Sequence, residues 1–435
     1  MSYETRTVKL SEVVDLISGG TPKTSIKEYW DGNIDWLSIA DFNNGNRYVS
    51  GASKKITELG LINSPTNLLH EKDVIISARG TVGVIAQLKK SMAFNQSCYG
   101  VRGKKDIADT SYIYYVLKNT VKRLKEVSHG AVFDTITKNT FDLITIDLPN
   151  LEIQNKTVSV LGALDDKIEL LQQTNKTLEL IAQAIFKSWF VDFDPVHAKQ
   201  QGKECAGIDK ATADLFPNDF VESELGLIPK SWTVVKIESI AKLVTRGITP
   251  KYEDKSGRLI INQKVNRGSK LDFNLSKDLS KTLEVPIEKY AKKWDILINC
   301  LGEGTLGRVH LYKRIDNIYP VDQHITICRL ESAKAFLLYQ ILASTAGQQR
   351  IDSLITGSTG MTMLNISKIR DFDFLFPNEK ILEKYSDLVE PIFHKIGDNE
   401  MEIETLSNIR DTLLPRLMSG KLDISNIKEQ LKGVA

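Results

Sequence analysis

The stretch LGALDDKIELLQQTNKTLELIAQAIFKSW, Leu161 to Trp189, governs how the rest of the chain is organised. At spacings of three and four it presents Leu161, Leu164, Ile168, Leu171, Asn175, Leu178, Ala182, Ile185 and Trp189. An apolar repeat averaging 3.5 residues makes one narrow helical stripe, the seam of a coiled coil rather than the broad face of a core helix. Such a stripe needs a partner, and the same chain holds one. Val389, Ile392, Ile396, Asn399, Ile403, Leu406, Arg410, Leu413 and Leu417 keep the same rhythm, each 228 residues after its counterpart. Two seams in one register imply a duplicated unit. In an antiparallel pair the a positions of one helix face the d positions of the other. Asn175 falls at a and Asn399 at d, so the two amides are expected to meet near the middle and pin the register.

A chain of 435 residues exceeds one typical core and suits two to four domains. Its hydrophobic content of 42% and charged content of 26% place it among soluble globular proteins. It has no run of 18 apolar residues, so no membrane-spanning helix is expected, and the polar start MSYETRTVKL does not read as a secretory signal. Cys98, Cys205, Cys300 and Cys328 are scattered without a CxxC pair, which points to reduced thiols in a cytoplasm and to no metal site.

Outward from the first seam, residues 1–150 mix strands and helices. Strands are expected at Ile34–Ile39, Asp73–Ser77, Val82–Leu88 and Leu143–Leu148, and a helix at Ser111–Val127. Residues 151–190 carry the first helix. Residues 191–230, acidic and punctuated by Gly and Pro, read as a linker with one short helix. The sequence then restarts. Val8-Lys-Leu returns as Val235-Lys-Ile, Thr21-Pro-Lys as Thr249-Pro-Lys, and Asp73-Val-Ile-Ile as Asp295-Ile-Leu-Ile. Gly80-Thr-Val-Gly83 returns as Gly304-Thr-Leu-Gly307, Asn95-Gln as Asp322-Gln, Gly130 as Gly357 and Pro149 as Pro377. The second block therefore spans 231–377, the second helix 378–422 and a tail 423–435. Between the shared landmarks the copies diverge: SIKEYWDGNIDWLSIADFNNG in one faces YEDKSGRLIINQKVNRGSK in the other. One scaffold with different polar loops suits two readers of different targets; neutral drift of surface loops is the alternative.

Motifs for chemistry are sparse. Gly302-Glu-Gly304-Thr-Leu-Gly307 fits GxGxxG, but Arg308-Val-His-Leu-Tyr reads as a strand where a dinucleotide site needs a helix, so a strand-to-strand turn is expected. Ser18 to Thr24 lacks the spacing of a phosphate loop. No Asn/Asp-Pro-Pro-aromatic methyl-transfer motif is present, and the six histidines are isolated. From Lys242 to Lys270 eight bases face two acids, interleaved with Asn262, Gln263 and Asn266. Amides read adenine edges as Arg reads guanine, so this run points to a phosphate-and-base surface.

The repeat, the paired seams and three local phrases resemble the specificity subunits of Type I restriction–modification systems. The phrases are Glu224-Leu-Gly-Leu-Ile-Pro-Lys-Ser-Trp232, Phe186-Lys-Ser-Trp-Phe190 and Leu414-Pro-Arg-Leu-Met-Ser-Gly-Lys-Leu422. The resemblance spans the chain. It implies a mixed α/β fold with two tandem target-recognition domains, related by a pseudo-twofold internal repeat. Two long helices forming an intramolecular antiparallel coiled coil would separate them. Each domain would read one half of a bipartite, asymmetric site in double-stranded DNA. The helices would set the spacer and dock two methylating subunits, through which restriction and translocase subunits join. The chain itself would be non-catalytic and carry no cofactor, with S-adenosylmethionine, ATP and Mg on its partners. A stand-alone DNA-binding regulator would carry the same readers and remains the alternative.

The resemblance places DNA contacts on matching loops. In the first copy these are Thr21, Lys23, Arg79, Asn95, Gln96 and Ser97. In the second they are Arg246, Thr249, Lys251, Lys264, Asn266, Arg267, Gln323, His324, Ser358 and Thr359. Lys and Thr are expected on phosphates, and Gln, Asn and Arg on base edges. The heptad stretch would span roughly 43 Å at ~1.5 Å per residue, near the ~34–36 Å of one DNA turn.

Overall fold

In a computed structural model, residues 4–127, 135–223, 226–315, 319–357, 362–422 and 424 are described. Gly130, Ser358, Thr359 and the tail apart from Ile424 lie outside the described residues. The chain forms two compact units, Met1–Leu170 with Glu404–Ala435, and Leu171–Ile403.

In the first unit, β1 (Thr5–Lys9) enters the fold and β2 (Val14–Ser18) follows. The chain continues through β3 (Trp30–Leu37), β4 (Tyr48–Val49), β5 (Lys54–Ile56) and β6 (Leu68–Leu69). Then come β7 (Val74–Ser77), β8 (Ile85–Leu88), β9 (Met92–Phe94), β10 (Cys98–Gly103) and β11 (Thr145–Pro149). The main sheet has the order β2-β10-β7-β8-β4, a second sheet the order β5-β3-β9-β6, and β1 pairs antiparallel with β11. The helix Thr110–Val127 buries Tyr112, Ile113, Val116 and Leu117 against Val74, Ile76 and Val101 of the main sheet. Period-two strand faces and a 3.6-period helix face thereby close one core. The first long helix, Leu151–Phe190, starts just after Pro149 closes β11.

The second unit repeats this frame. After a hairpin of β12 (Phe220–Ser223) and β13 (Gly226–Pro229) come β14 (Thr233–Lys236), β15 (Leu243–Arg246), β16 (Ile296–Asn299), β17 (Val309–Leu311) and β18 (Ile325–Arg329). A short pair, β19 (Ile355–Thr356) and β20 (Met363–Leu364), precedes β21 (Asp373–Phe376). The sheet order β15-β18-β16-β17 matches β2-β10-β7-β8, and β14 pairs with β21 as β1 does with β11. The helix Ser332–Ala343 follows β18 as Thr110–Val127 follows β10. Where the first copy builds β3, β5 and β6, the second keeps the same pairings as single bridges: Leu259 with Asp278 antiparallel, Ile261 with Val321 parallel and Tyr290 with Pro320 antiparallel.

Several expected boundaries move for local reasons. The strand expected over Ile34–Ile39 ends at Leu37, because Asp41 accepts from the Ser38 backbone N–H and hydroxyl, both at 2.8 Å, and caps a short helix from Ile39. Val82–Leu88 shortens to β8, since Gly83 (φ 77°) is still in the turn. Residues 191–230 do more than link. Helices Asp194–Gln200 and Lys210–Ala213 fold there, and Val196 and Phe216 join the core of the second unit. Phe216 packs edge-on against Trp189 at 5.3 Å. Apolar residues spaced among the acids supplied the anchors.

The second long helix, Glu379–Met418, matches the first in length, at 40 residues each. In the second unit Phe190 meets Tyr385 at 4.9 Å and Asn175 meets Asn399, so the helices run antiparallel.

Candidate nucleic-acid interface

In the first copy, β2 ends in Gly19-Gly20 and passes close over the backbone that follows β9. Gly20 N–H donates to Phe94 O at 3.0 Å, and a Cβ on Gly19 would sit 2.0 Å from Asn95 O. Only glycine permits that approach, and it delivers Thr21 to the next turn. Asn95 Oδ1 accepts from Ser97 N–H at 3.0 Å, an Asx turn that projects Gln96 into solvent. Thr21 Oγ1 donates to Gln96 Oε1. Ala78 N–H donates to Ser97 O at 2.7 Å, which brings the exposed Arg79 alongside. Thr21, Asn95, Gln96, Ser97 and Arg79 thus gather at one sheet end, with Lys23 exposed two residues beyond Thr21.

The second copy rebuilds the same corner with partly different residues. A Cβ on Gly247 would sit 2.0 Å from Val321 O. Asp322 Oδ1 accepts from His324 N–H at 2.8 Å, and Thr249 Oγ1 donates to Gln323 Oε1 at 2.7 Å. Cys300 N–H donates to His324 O at 2.7 Å, the counterpart of the Ala78 bond. Lys251 is exposed. The GxGxxG segment is the turn between antiparallel β16 and β17, with Gly302, Gly304 and Gly307 all at positive φ.

Other candidates fare differently. Asn266 is fully buried and needs correction as a base reader. Its Nδ2 donates to Asn299 Oδ1 at 3.0 Å and its Oδ1 accepts from Gly268 N–H at 2.8 Å, so its amide belongs to the core. Arg246 is half-buried and donates to Leu364 O at 3.0 Å, bracing β20. His324 Nδ1 is buried 2.7 Å from Asp322 Oδ1 without hydrogen-bond geometry, so that edge of the ring faces inward. Lys264 and Arg267 are exposed.

Two features escaped sequence reading. Arg308 donates to Gly304 O at 2.8 Å, and burial together with the neighbouring Arg267 charge lowers its pKa. It adds a cation beside the turn, and its place directly after Gly307 was the available signal. The second feature is a repeated brace. Arg102 holds Asp73 and Arg329 holds Asp295 through paired guanidinium bonds, the latter at 2.8 and 2.7 Å. Aspartate at the start of each matched strand was legible; its arginine lay three strands further along the sequence in the first copy and two in the second.

The seam residues lie as follows. In the first unit Leu161, Leu164 and Ile168 are buried, and Leu406 and Leu413 half-buried. Arg410 Nη1 donates to Asp165 Oδ1 at 2.7 Å, and Tyr115 OH donates to Asp165 Oδ2 at 2.7 Å. In the second unit Leu171 and Ile396 are buried, and Leu178, Ile185, Ile392 and Ile403 half-buried. Asn399 Nδ2 donates to Asn175 Oδ1 at 2.7 Å, so the two amides meet as their heptad positions require.

For chemistry at these corners the side chains offer hydrogen bonds and charge. Burial pushes the Cys98 thiol up to about 12, removing it as a nucleophile. Among the described residues no group of three or more His, Cys, Asp or Glu side chains is placed to hold a metal ion. No described helix is long and apolar enough to cross a membrane.

Fold and site together define a class: a duplicated α/β protein with matched donor-bearing corners on both copies and an antiparallel pair of long helices. Residues 3–180 match the family described as Type I restriction modification DNA specificity domain. The chain is 27% identical to the Type I restriction enzyme MjaIX specificity subunit of Methanocaldococcus jannaschii, over 96% of this chain and 94% of that one. It is 26% identical to the HindI specificity subunit of Haemophilus influenzae, over 72% and 76%. A crystal structure of a Type I restriction–modification system S subunit from M. genitalium shares the fold, with a TM-score of 0.51 at 15% identity over 95% and 96% of the two chains. Residues 3–180 thus match the Type I specificity domain, and the chain is similar over nearly its whole length to a Type I restriction enzyme specificity subunit.

Proposed function

We propose that this chain reads a bipartite DNA site for a Type I restriction–modification complex, residues 1–150 taking one half-site and residues 231–377 the other. The observation that carries this reading is the repeated corner, where Thr, Lys and Gln sit on the same strand ends in both copies while the adjoining segments differ in sequence. Exposed Lys23, Arg79, Lys251, Lys264 and Arg267 suit phosphates and guanine edges. The helix pair sets the unread gap and docks two methylating subunits. Leu180 and Ile181, about half exposed on the first long helix, are apolar surface for such contacts. S-adenosylmethionine, ATP and Mg belong to the partner subunits, and restriction subunits join through them. The chain performs no chemistry itself.

The test is the host's map of methylated adenines. Deleting the gene for this chain removes methylation at one split motif. Replacing residues 1–150 with the equivalent block of another family member changes one half of that motif only. Unchanged methylation after deletion would refute the reading.

A further inference from the structure

The Thr–Gln pair occurs in both copies with one geometry. Thr21 Oγ1 donates to Gln96 Oε1, and Thr249 Oγ1 donates to Gln323 Oε1 at 2.7 Å. Each amide therefore has its carbonyl end occupied. Its Nε2 end, a two-hydrogen donor, has no partner among the described residues, and Gln96 is exposed and Gln323 half-buried. An exposed hydrogen bond between side chains adds little to stability, so fold maintenance alone is a weak reason to keep it twice.

The surroundings sharpen the point. The turn carrying the glutamine is built on Asn95 in one copy and Asp322 in the other, so its geometry is kept while its chemistry changes. Next to it, the pairings made by β3, β5 and β6 shrink to single bridges in the second copy, and the sequences of these segments differ. What stays identical is the donor set: threonine, an exposed lysine two residues on, and the outward amide. Identical donors cannot tell two different half-sites apart. They must meet something both half-sites share.

We propose, building on the DNA-reading function above, that Thr21–Gln96 with Lys23, and Thr249–Gln323 with Lys251, are twin clamps for backbone phosphate that carry no sequence information. A phosphate offers acceptors only, matching an ammonium and an amide N–H₂. Base discrimination then belongs to the segments that differ, Trp30–Leu69 in the first copy and Tyr252–Tyr290 in the second. This assigns Gln96 and Gln323 to phosphate rather than to base edges, where the sequence placed them.

Gln96→Glu and Gln323→Glu decide the matter. A carboxylate still accepts from the threonine hydroxyl, while the outward donor becomes an anionic acceptor. The full chain, assembled with the methylating subunits that co-purify with it, is titrated by fluorescence anisotropy. The duplexes carry either both half-sites or both half-sites scrambled. Each variant is expected to weaken both duplexes by one common factor, about tenfold, with the ratio of the two Kd values unchanged. Gln96→Met and Gln323→Met, lacking donor and charge, are expected to show a smaller loss that is again equal on both duplexes, and this pair decides if the Glu variants fold poorly. A changed ratio would mean that the glutamines read bases, and unchanged Kd values would mean that they touch nothing; either overturns the clamp. If the unmodified chain itself shows no preference between the duplexes, the DNA-reading function fails instead, while equal losses on both still report the clamp.

Discussion

Asn266 and Glu179 show how single residues depend on burial. Asn266 sits in a basic run with other amides, which in sequence looks like a base reader. Its side chain instead bonds Asn299 and Gly268 within the core. Asn266→Ala should cost about 3 kcal/mol by stranding those partners, measured by urea denaturation. Glu179 lies near Glu400 and Lys313 on the second unit's helix pair. Burial raises its pKa, the Lys313 charge opposes that, and Glu400 adds to it. A carboxyl raised in the folded state destabilises as pH rises from its unfolded value through its folded one, and is neutral in effect below both. Glu179→Gln should therefore raise Tm at pH 7.5, with the gain shrinking towards pH 4. A gain independent of pH would contradict the assignment. The residue types were legible, but their exposure was not, because it depends on strands distant in sequence.

At the scale of elements, the seam was read from spacing alone, and spacing also placed Asn175 against Asn399. The amide pair is imperfect: Asn399 Oδ1 is buried without a hydrogen-bond partner. Replacing both asparagines by leucine should raise Tm, because leucines fill the site without orphaned polar atoms. Either single change should lower it by leaving one amide facing an alkyl group. A double variant less stable than both singles would refute this account. Arg410 is a charged residue at a seam position of its helix. It is the partner of Asp165, and burial's tendency to lower its pKa is outweighed by Asp165 and Asp411, which raise it. Arg410→Ala should cost about 3 kcal/mol, because Asp165 stays buried without its cation. Thermal melts at neutral pH would register the loss.

At the scale of the whole molecule, each long helix starts in one unit and ends in the other, so the pair is the covalent link between the two units. Removing one heptad from each, residues 168–174 and 400–406, shortens the pair by about 10 Å, roughly three base pairs. The unread gap of the methylated motif should contract by about that number while both half-sites stay the same. A changed half-site, or an unchanged gap, would count against the helices as spacer.

The chain by itself determined the duplication and the helix pair, because apolar periodicity and repeated Gly, Pro and Asp landmarks are local quantities. It also determined that the GxGxxG segment is a turn, since a strand pattern follows it. Only the tertiary structure decided which polar side chains face solvent, how Thr21 reaches Gln96 across 75 residues, and that residues 191–230 pack into a core. Those outcomes rest on contacts between segments far apart in sequence, and burial and hydrogen-bond partnership exist only once the strands are laid side by side.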